Sequence, residues 1–254
     1  MATHGRITEI AHLVADARSI VALTGAGMST AAGIPDFRGP QGLYVTRQYN
    51  PEKTFELRWF KRNPKHFYCF AADFVETLSR IRPTFAHTFL ARLEAAGELS
   101  AVITQNIDML HQVAGNHNVI ELHGSPSTAT CLSCGKSIGP LDVTWWQQAI
   151  AASPHSPVVL CQGCGGVLKP DIVFYGEQVH RYAEAEAAIK ECDLLLVLGT
   201  SLTVYPAALL PDATGAPVVA ISQGEVALAP AKHHYVVDAD LDAFCREMEE
   251  LLSF

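Results

Sequence analysis

The sequence predicts an α/β chain built on a doubly wound parallel sheet, with a smaller lobe inserted into it. Three observations carry that expectation. Short apolar runs recur at Ile20 to Leu23, Ala101 to Thr104, Val119 to Leu122, Ile172 to Tyr175, Leu194 to Leu198, Val218 to Ile221 and Tyr235 to Val237. They are continuous rather than alternating, as strands covered on both faces are. Stretches with helical spacing lie between several of them, which is the rhythm of a parallel sheet. Two segments, 40–80 and 126–167, break that rhythm and read as insertions.

Taken in order, Ile7, Ile10, Ala11, Leu13, Val14 and Ala17 mark a first helix, and the first strand follows. After it comes Gly25-Ala26-Gly27-Met28-Ser29-Thr30. Gly25 and Gly27 would let backbone approach a pyrophosphate at a helix N-terminus. The third position of the dinucleotide fingerprint is Thr30 rather than Gly, so an ordinary tight turn accounts for the glycines equally well. Gly33 and Pro35 should stop this helix after about two turns. The loop beyond brings Asp36, Phe37 and Arg38, a carboxylate, an aromatic plate and a guanidinium able to fold over a ligand.

The 40–80 insertion holds nine aromatics between Tyr44 and Phe74, enough for a small helical core. A helix from Thr84 to Ala96, stopped by Gly97, leads into the second strand. That strand ends in Gln105, Asn106, Ile107 and Asp108, at the carboxyl edge where ligands of such sheets bind. Amide and carboxylate groups there suit a carboxamide or hydroxyls, with helix capping as the alternative for Asn106 or Asp108. His111, just inside the next helix, reads as structural. The third strand delivers His123 to the same edge, where an imidazole could serve as general base.

Cys131 with Cys134 and Cys161 with Cys164 form two CxxC pairs. Such spacing suits one tetrahedral zinc held by four thiolates, with no open position, so the ion would be structural. A disulfide framework is the rival, and seven cysteines in a long chain fit it poorly. The 126–167 segment is too thin in apolar residues to fold without its metal. Cys69, Cys192 and Cys245 read as small core residues. Further on, Lys169 to Glu177 and Leu198 to Pro206 are two more clusters that join the carboxyl edge. In the second, Gly199, Thr200 and Ser201 offer amides and hydroxyls to phosphate or ribose oxygens. Helices at Arg181 to Lys190 and Asp240 to Leu252, the latter with Asp240 as N-cap, complete the pattern.

The expected domains are a Rossmann-like nucleotide-binding domain from 1–39, 81–125 and 168–254, a helical insertion from 40–80 and a zinc module from 126–167. The insertions should gather as one small lobe with a cleft beside it. With 18 Lys and Arg against 26 Asp and Glu, a formal charge of −8 and no basic run, composition argues against nucleic acid. A lysine-bearing protein segment would be electrostatically welcome. No apolar run reaches the length of a membrane span, so a soluble, reducing, cytoplasmic setting is expected, with a monomer the simplest state.

The ordered set GAGMSTAAGIPDFRG, TQNIDMLHQVAG, ELHG, two CxxC pairs, KPDIVFYGE and GTSLTVYPA resembles the sirtuins, NAD-dependent protein lysine deacylases, from about Ile7 to Leu252. The resemblance implies NAD along the carboxyl edge, an acyl-lysine entering between lobes, and peptide main chain adding as a strand near Val173, Phe174 and Tyr175 and near Thr203 to Tyr205. It implies that the acyl oxygen attacks C1′ of the nicotinamide ribose and that His123 then takes a proton from the ribose hydroxyls. The products would be free lysine, O-acyl-ADP-ribose and nicotinamide. By motif, Asn106 organises ribose or a water, and Ile107 and Asp108 hold the carboxamide. Phe37 shields the reacting face, and Arg38 with Gly25, Ala26 and Gly27 meets the phosphates. Ser29, Asp36, Gln105, Gly199, Thr200 and Ser201 complete the nucleotide contacts.

Departures also carry information. Relatives that prefer succinyl or malonyl groups carry Tyr and Arg three residues apart, where this chain has Tyr68 and Ala71. Ala71 cannot pair with an acyl carboxylate, so an uncharged acyl group such as acetyl is expected. Gln223 stands where many relatives place Asn on the adenosine ribose, and Tyr175 replaces the commoner Phe. Two other activities share parts of this machinery: mono-ADP-ribosyl transfer or NAD hydrolysis, and a non-catalytic NAD or ADP-ribose sensor with a zinc-built docking surface.

Overall fold

Every residue of Ile20–Thr24 (β1) is buried, because the strand has neighbours on both edges and both faces. In the computed structural model, which describes residues 2–36, 42, 49–152 and 156–252, β1 pairs in parallel with Leu99–Thr104 (β2) and Leu194–Leu198 (β7). Val119–Glu121 (β3) extends the sheet beyond β2, while Val218–Ile221 (β8) and His234–Val237 (β9) extend it beyond β7. The order β3-β2-β1-β7-β8-β9 reverses at β1, the doubly wound arrangement, and that reversal opens a crevice at the strands' carboxyl ends.

Alternation along the strands explains why the runs are continuously apolar. Ile20, Ala22, Val102, Leu194, Leu196 and Val219 face one way, onto helices Ala2–Asp16, Phe85–Ala95 and Leu241–Leu252. Val21, Leu23, Ile103, Leu195, Val197 and Val218 face the other, with Ala185 and Ile189 of helix Tyr182–Glu191 and Ala207 and Leu210 of the turn after β7. The caps follow from the residues present. Thr84 accepts from the His87 amide in a capping box, and Asp240 accepts from the Ala243 amide at 2.9 Å. Asp242 accepts from the Phe85 and Ala86 amides at 3.2 and 2.9 Å, satisfying donors at the start of a second helix.

The chain divides into two compact units, and this sheet belongs to the one formed by Met1–Ala32, Arg82–Leu122 and Arg181–Phe254. The other unit comprises Gly33–Ile81 and His123–His180. It holds a three-stranded antiparallel sheet, Ser137–Ile138 (β5), Gly124–Cys131 (β4) and Leu168–Ile172 (β6). Beside the sheet, helix Lys65–Leu78 packs on helix Val143–Ala151. Both insertions thus contribute to the same unit. Its core is aromatic: Phe60 and Phe67 each lie 5.1 Å from Phe174, and Phe60 lies 6.0 Å from Tyr68.

Two expectations change here. The run Ile172 to Tyr175 is not a strand of the parallel sheet. Ile172 ends β6, which pairs with β4, and Phe174 enters the aromatic core. A short apolar run shows that a segment is buried but not which sheet takes it. Cys69 is exposed, on the face of its helix turned from the aromatic core, whereas Cys192 and Cys245 are buried as expected. Among the described residues no helix is long and apolar enough to cross a membrane.

Candidate active site

The two loops that follow β1 and β7 touch through their glycines. The Gly25 amide donates to the Leu198 carbonyl at 3.0 Å and the Gly27 amide to the Gly199 carbonyl at 2.8 Å. A Cβ on Gly25 would stand 2.7 Å from the Thr200 Cβ, and one on Gly27 would stand 2.7 Å from the Gly199 Cα. Gly199 itself has φ +62 and would meet the Met28 amide at 2.5 Å. The sequence suggested glycines that clear space for a ligand; here they first let two loops interlock. The segment after Gly25 is a 3-10 helix, Ala26–Ala32, ended by Gly33 at φ +100, rather than the start of an α-helix.

The corner after β2 ties into the same loops. Asn106 donates from its side-chain amide to the Gly25 carbonyl at 3.0 Å and to the Ser29 hydroxyl at 3.3 Å. Ser29 in turn donates to Asp108 at 2.6 Å, and the other Asp108 oxygen accepts from the Leu110 amide at 2.9 Å. Gln105 reaches the Thr200 hydroxyl at 3.2 Å. Asp108 is not the cap of helix Leu110–Ala114, whose N-cap is Met109; it closes a turn one residue ahead of it, using one oxygen and leaving the other to the network. Burial pushes the Asp108 carboxyl above its usual value, against the Ser29 and Leu110 donors, which favour its ionised form. Residues 25, 29, 106 and 108 thus form one hydrogen-bonded group and residues 105 and 200 a second, the two joined by the peptide link of Gln105 and Asn106 at the sheet's carboxyl edge. Ile107 lies within it by sequence. Ser201 pairs with Thr203 at 2.9 Å, and Gln223 stands exposed beyond β8. Asp36 is half-buried at the end of the first described stretch, and Phe37 and Arg38 lie outside the described residues.

The donor set suits a neutral carboxamide and ribose hydroxyls, since it offers amides, hydroxyls and one carboxylate. Among its described members none is Lys or Arg, so a pyrophosphate there would depend on backbone amides.

Behind this corner, His111 lies buried with its Nε2 3.0 Å from the Thr24 hydroxyl, the structural role expected of it.

In the second unit, the four cysteine sulfurs lie within 4.8 Å of one another, with Cys131 and Cys164 at 3.5 Å and Cys134 and Cys161 at 4.0 Å. Four thiolates about 2.3 Å from one zinc would stand at about this spacing. Each pair closes a matching turn: the Gly135 amide returns to the Cys131 carbonyl at 3.0 Å, and the Gly165 amide to the Cys161 carbonyl at 2.8 Å. Both glycines have positive φ, +71 and +72. The Cys134 and Ser133 amides hold the Cys131 thiol down to about 6. Cys164 accepts from the Gly166 amide, which favours its thiolate. Even so, the neighbouring Cys131 and Cys134 sulfurs push it up to about 12, a crowding that a dication relieves.

His123 opens this unit's second segment, and its carbonyl accepts from the Val173 amide at 2.8 Å. Of the expected peptide contacts, Phe174 is buried and its amide donates to Glu177 at 2.8 Å. Tyr175 is about half exposed, 49 %, while its amide donates to the Phe55 carbonyl at 2.8 Å. With Gly176, Glu56, Leu57, Arg58 and Lys61 it lines an open groove of about 520 Å³. Sequence reading assigned no role to Lys169 or Glu177, which pair at 2.9 Å beneath this stretch. The available signal was a lysine inside an otherwise buried strand.

Residues 25–206 match the Sir2 family. The chain belongs to that family. It is 44 % identical over 203 residues to an NAD-dependent protein deacetylase of Sulfolobus acidocaldarius, covering 80 % of this chain and 77 % of that protein. It is 42 % identical over 228 residues to NAD-dependent protein deacetylase 1 of Pyrobaculum aerophilum, covering 88 % and 86 %. A solved Sir2 structure with p53 peptide and NAD+ superposes with a TM-score of 0.83 at 38 % identity, covering 95 % of this Sir2 chain and 96 % of that one.

Proposed function

We propose that this Sir2 protein is an NAD-dependent protein lysine deacetylase, acting on acetyl or other uncharged acyl groups. The observation that carries the reading is a pair of hydrogen-bonded groups, Gly25 with Asn106, Ser29 and Asp108, and Gln105 with Thr200, joined where Gln105 and Asn106 are chain neighbours, so that three separate motifs meet at one sheet edge. The names of its relatives support the same activity. When bound, NAD supplies a glycosidic bond whose cleavage releases nicotinamide and leaves ADP-ribose as acyl acceptor. Asn106 orients ribose or a water, Ile107 and Asp108 hold the carboxamide, and Gly199 to Ser201 with Gln223 meet ribose and phosphate oxygens. Phe37 excludes water and Arg38 balances phosphate charge.

His123 is the general base that takes a proton from a ribose hydroxyl. Chain continuity supports this. His123 directly follows Leu122, whose amide donates to the Thr104 carbonyl at 2.9 Å, two residues before Asn106. Val173 and Tyr175 meet the peptide, and the groove beside Tyr175 takes residues flanking the acyl-lysine. The four-thiolate zinc holds the second unit's tip together and does no chemistry. The residence we propose is the cytoplasm, the reducing setting that suits a four-thiolate zinc site.

The test is an incubation with NAD and an acetyl-lysine peptide, read by mass spectrometry. Equal amounts of nicotinamide, O-acetyl-ADP-ribose and lysine peptide are expected. ADP-ribose bound to protein, or released without peptide consumption, would replace deacylation by ADP-ribosyl transfer or hydrolysis.

A further inference from the structure

A lysine inside a strand must find partners for its charge. Lys169, in β6, keeps only 10 % of its side chain accessible. Its Nζ donates to the Ile172 carbonyl at 2.8 Å and the Pro170 carbonyl at 3.3 Å, lies 2.9 Å from Glu177 Oε2, and stands 4.6 Å over the Phe174 ring. The same Glu177 oxygen accepts from the Phe174 amide at 2.8 Å, and the Glu177 amide returns to the Phe174 carbonyl at 3.0 Å. One ion pair thus closes residues 169–177 into a braced loop. From that loop the Val173 amide donates to the His123 carbonyl at 2.8 Å. Tyr175 bonds Phe55 through its amide at 2.8 Å and Leu57 through its carbonyl at 3.2 Å.

A largely buried ion pair is a poor source of net stability compared with apolar packing, while breaking it is costly. What this pair supplies is a fixed backbone path. We propose that Lys169 and Glu177 are positioning residues for deacylation: together they hold the main chain of 173–175 against that of His123, so base and peptide-facing stretch keep one geometry. The inference rests on the deacetylase reading. Neither residue touches the reacting atoms; both act through Phe174 and Val173.

Lys169→Met removes the charge at similar length, Glu177→Gln does so from the other end, and the double variant completes a cycle. Each single variant should lower kcat/KM for acetyl-peptide about tenfold or more while leaving KM for NAD within about twofold. The double variant should be no worse than the worse single one, because the two residues act as a unit. In parallel, hydrogen exchange at the Val173 and Phe174 amides should accelerate in every variant while amides of the six-stranded sheet keep their protection. Glu177, with a side chain 26 % exposed, provides the gentler variant should Lys169→Met fail to fold. Unchanged peptide kinetics in an active enzyme, additive losses in the double variant, or unchanged exchange at 173 and 174 would each overturn the brace. A wild-type protein inert toward acetyl-peptide would instead overturn the deacetylase reading, and the exchange measurement would still decide the brace.

Discussion

His87 and His111 hold their rings 4.7 Å apart in the interior, one closing the capping box with Thr84 and the other bonding Thr24 at the end of β1. Burial lowers His87 to about 4. Burial, with His87 nearby, lowers His111 to about 3. The His87 Nδ1 accepts from the Thr84 amide at 3.3 Å, a bond the protonated ring cannot make. The Thr84 hydroxyl also reaches the Met28 carbonyl at 3.2 Å, so this pair underlies the glycine corner.

Acid should therefore destabilise the sheet unit in a defined window. With folded pKa values below the unfolded value near 6.5, the unfolded chain binds protons first as pH falls. The stabilisation is full above about 6.5 and drains away until about 4 for His87 and about 3 for His111, with roughly 3 kcal/mol at stake for His87. Denaturant melts between pH 7 and 4 should show this slope, and His87→Gln should flatten it. An equal slope in that variant would contradict the assignment.

Acyl selectivity follows from residues 68 and 71. Tyr68 is fully buried with its hydroxyl donating to the Leu168 carbonyl at 2.5 Å, and Ala71 is buried with no charge to offer. A succinyl carboxylate would lose a charge-assisted partner worth about 1.5–3 kcal/mol, so acetyl-lysine should exceed succinyl-lysine by about tenfold or more in kcat/KM. Faster turnover of succinyl peptides in a paired assay would contradict it.

Metal removal should unfold the tip of the second unit. Beyond the cysteine turns, the 126–167 segment has the buried Trp146, whose indole donates to the Pro126 carbonyl at 2.8 Å, as one of few apolar anchors. A thiol-reactive chelator should release about one zinc per chain, as one four-thiolate site requires, and circular dichroism should lose structure in step with activity. Metal-free protein that stays folded and active would defeat the structural role.

Much of this was legible in the sequence, for identifiable reasons. Burial on both faces writes continuous apolar runs, so six strands of the parallel sheet could be placed, and Asp240 announced its helix by capping chemistry. The CxxC turns were legible because tetrahedral coordination fixes spacing. Other features depend on partners far along the chain. The Ile172 to Tyr175 run carries no mark of which sheet it joins. Gly27 reads as a ligand-facing glycine until Gly199 is seen against it. The same holds for Lys169, whose purpose is visible only beside Glu177.

The proposed role of His123 as base for a nucleotide held by the Asn106 and Asp108 corner can be decided by one substitution. His123→Ala should lower acetyl-peptide turnover by about 100-fold or more, the usual contribution of a general base, while calorimetry finds NAD binding nearly unchanged. Turnover equal to wild type in that variant would contradict the role of His123 as base.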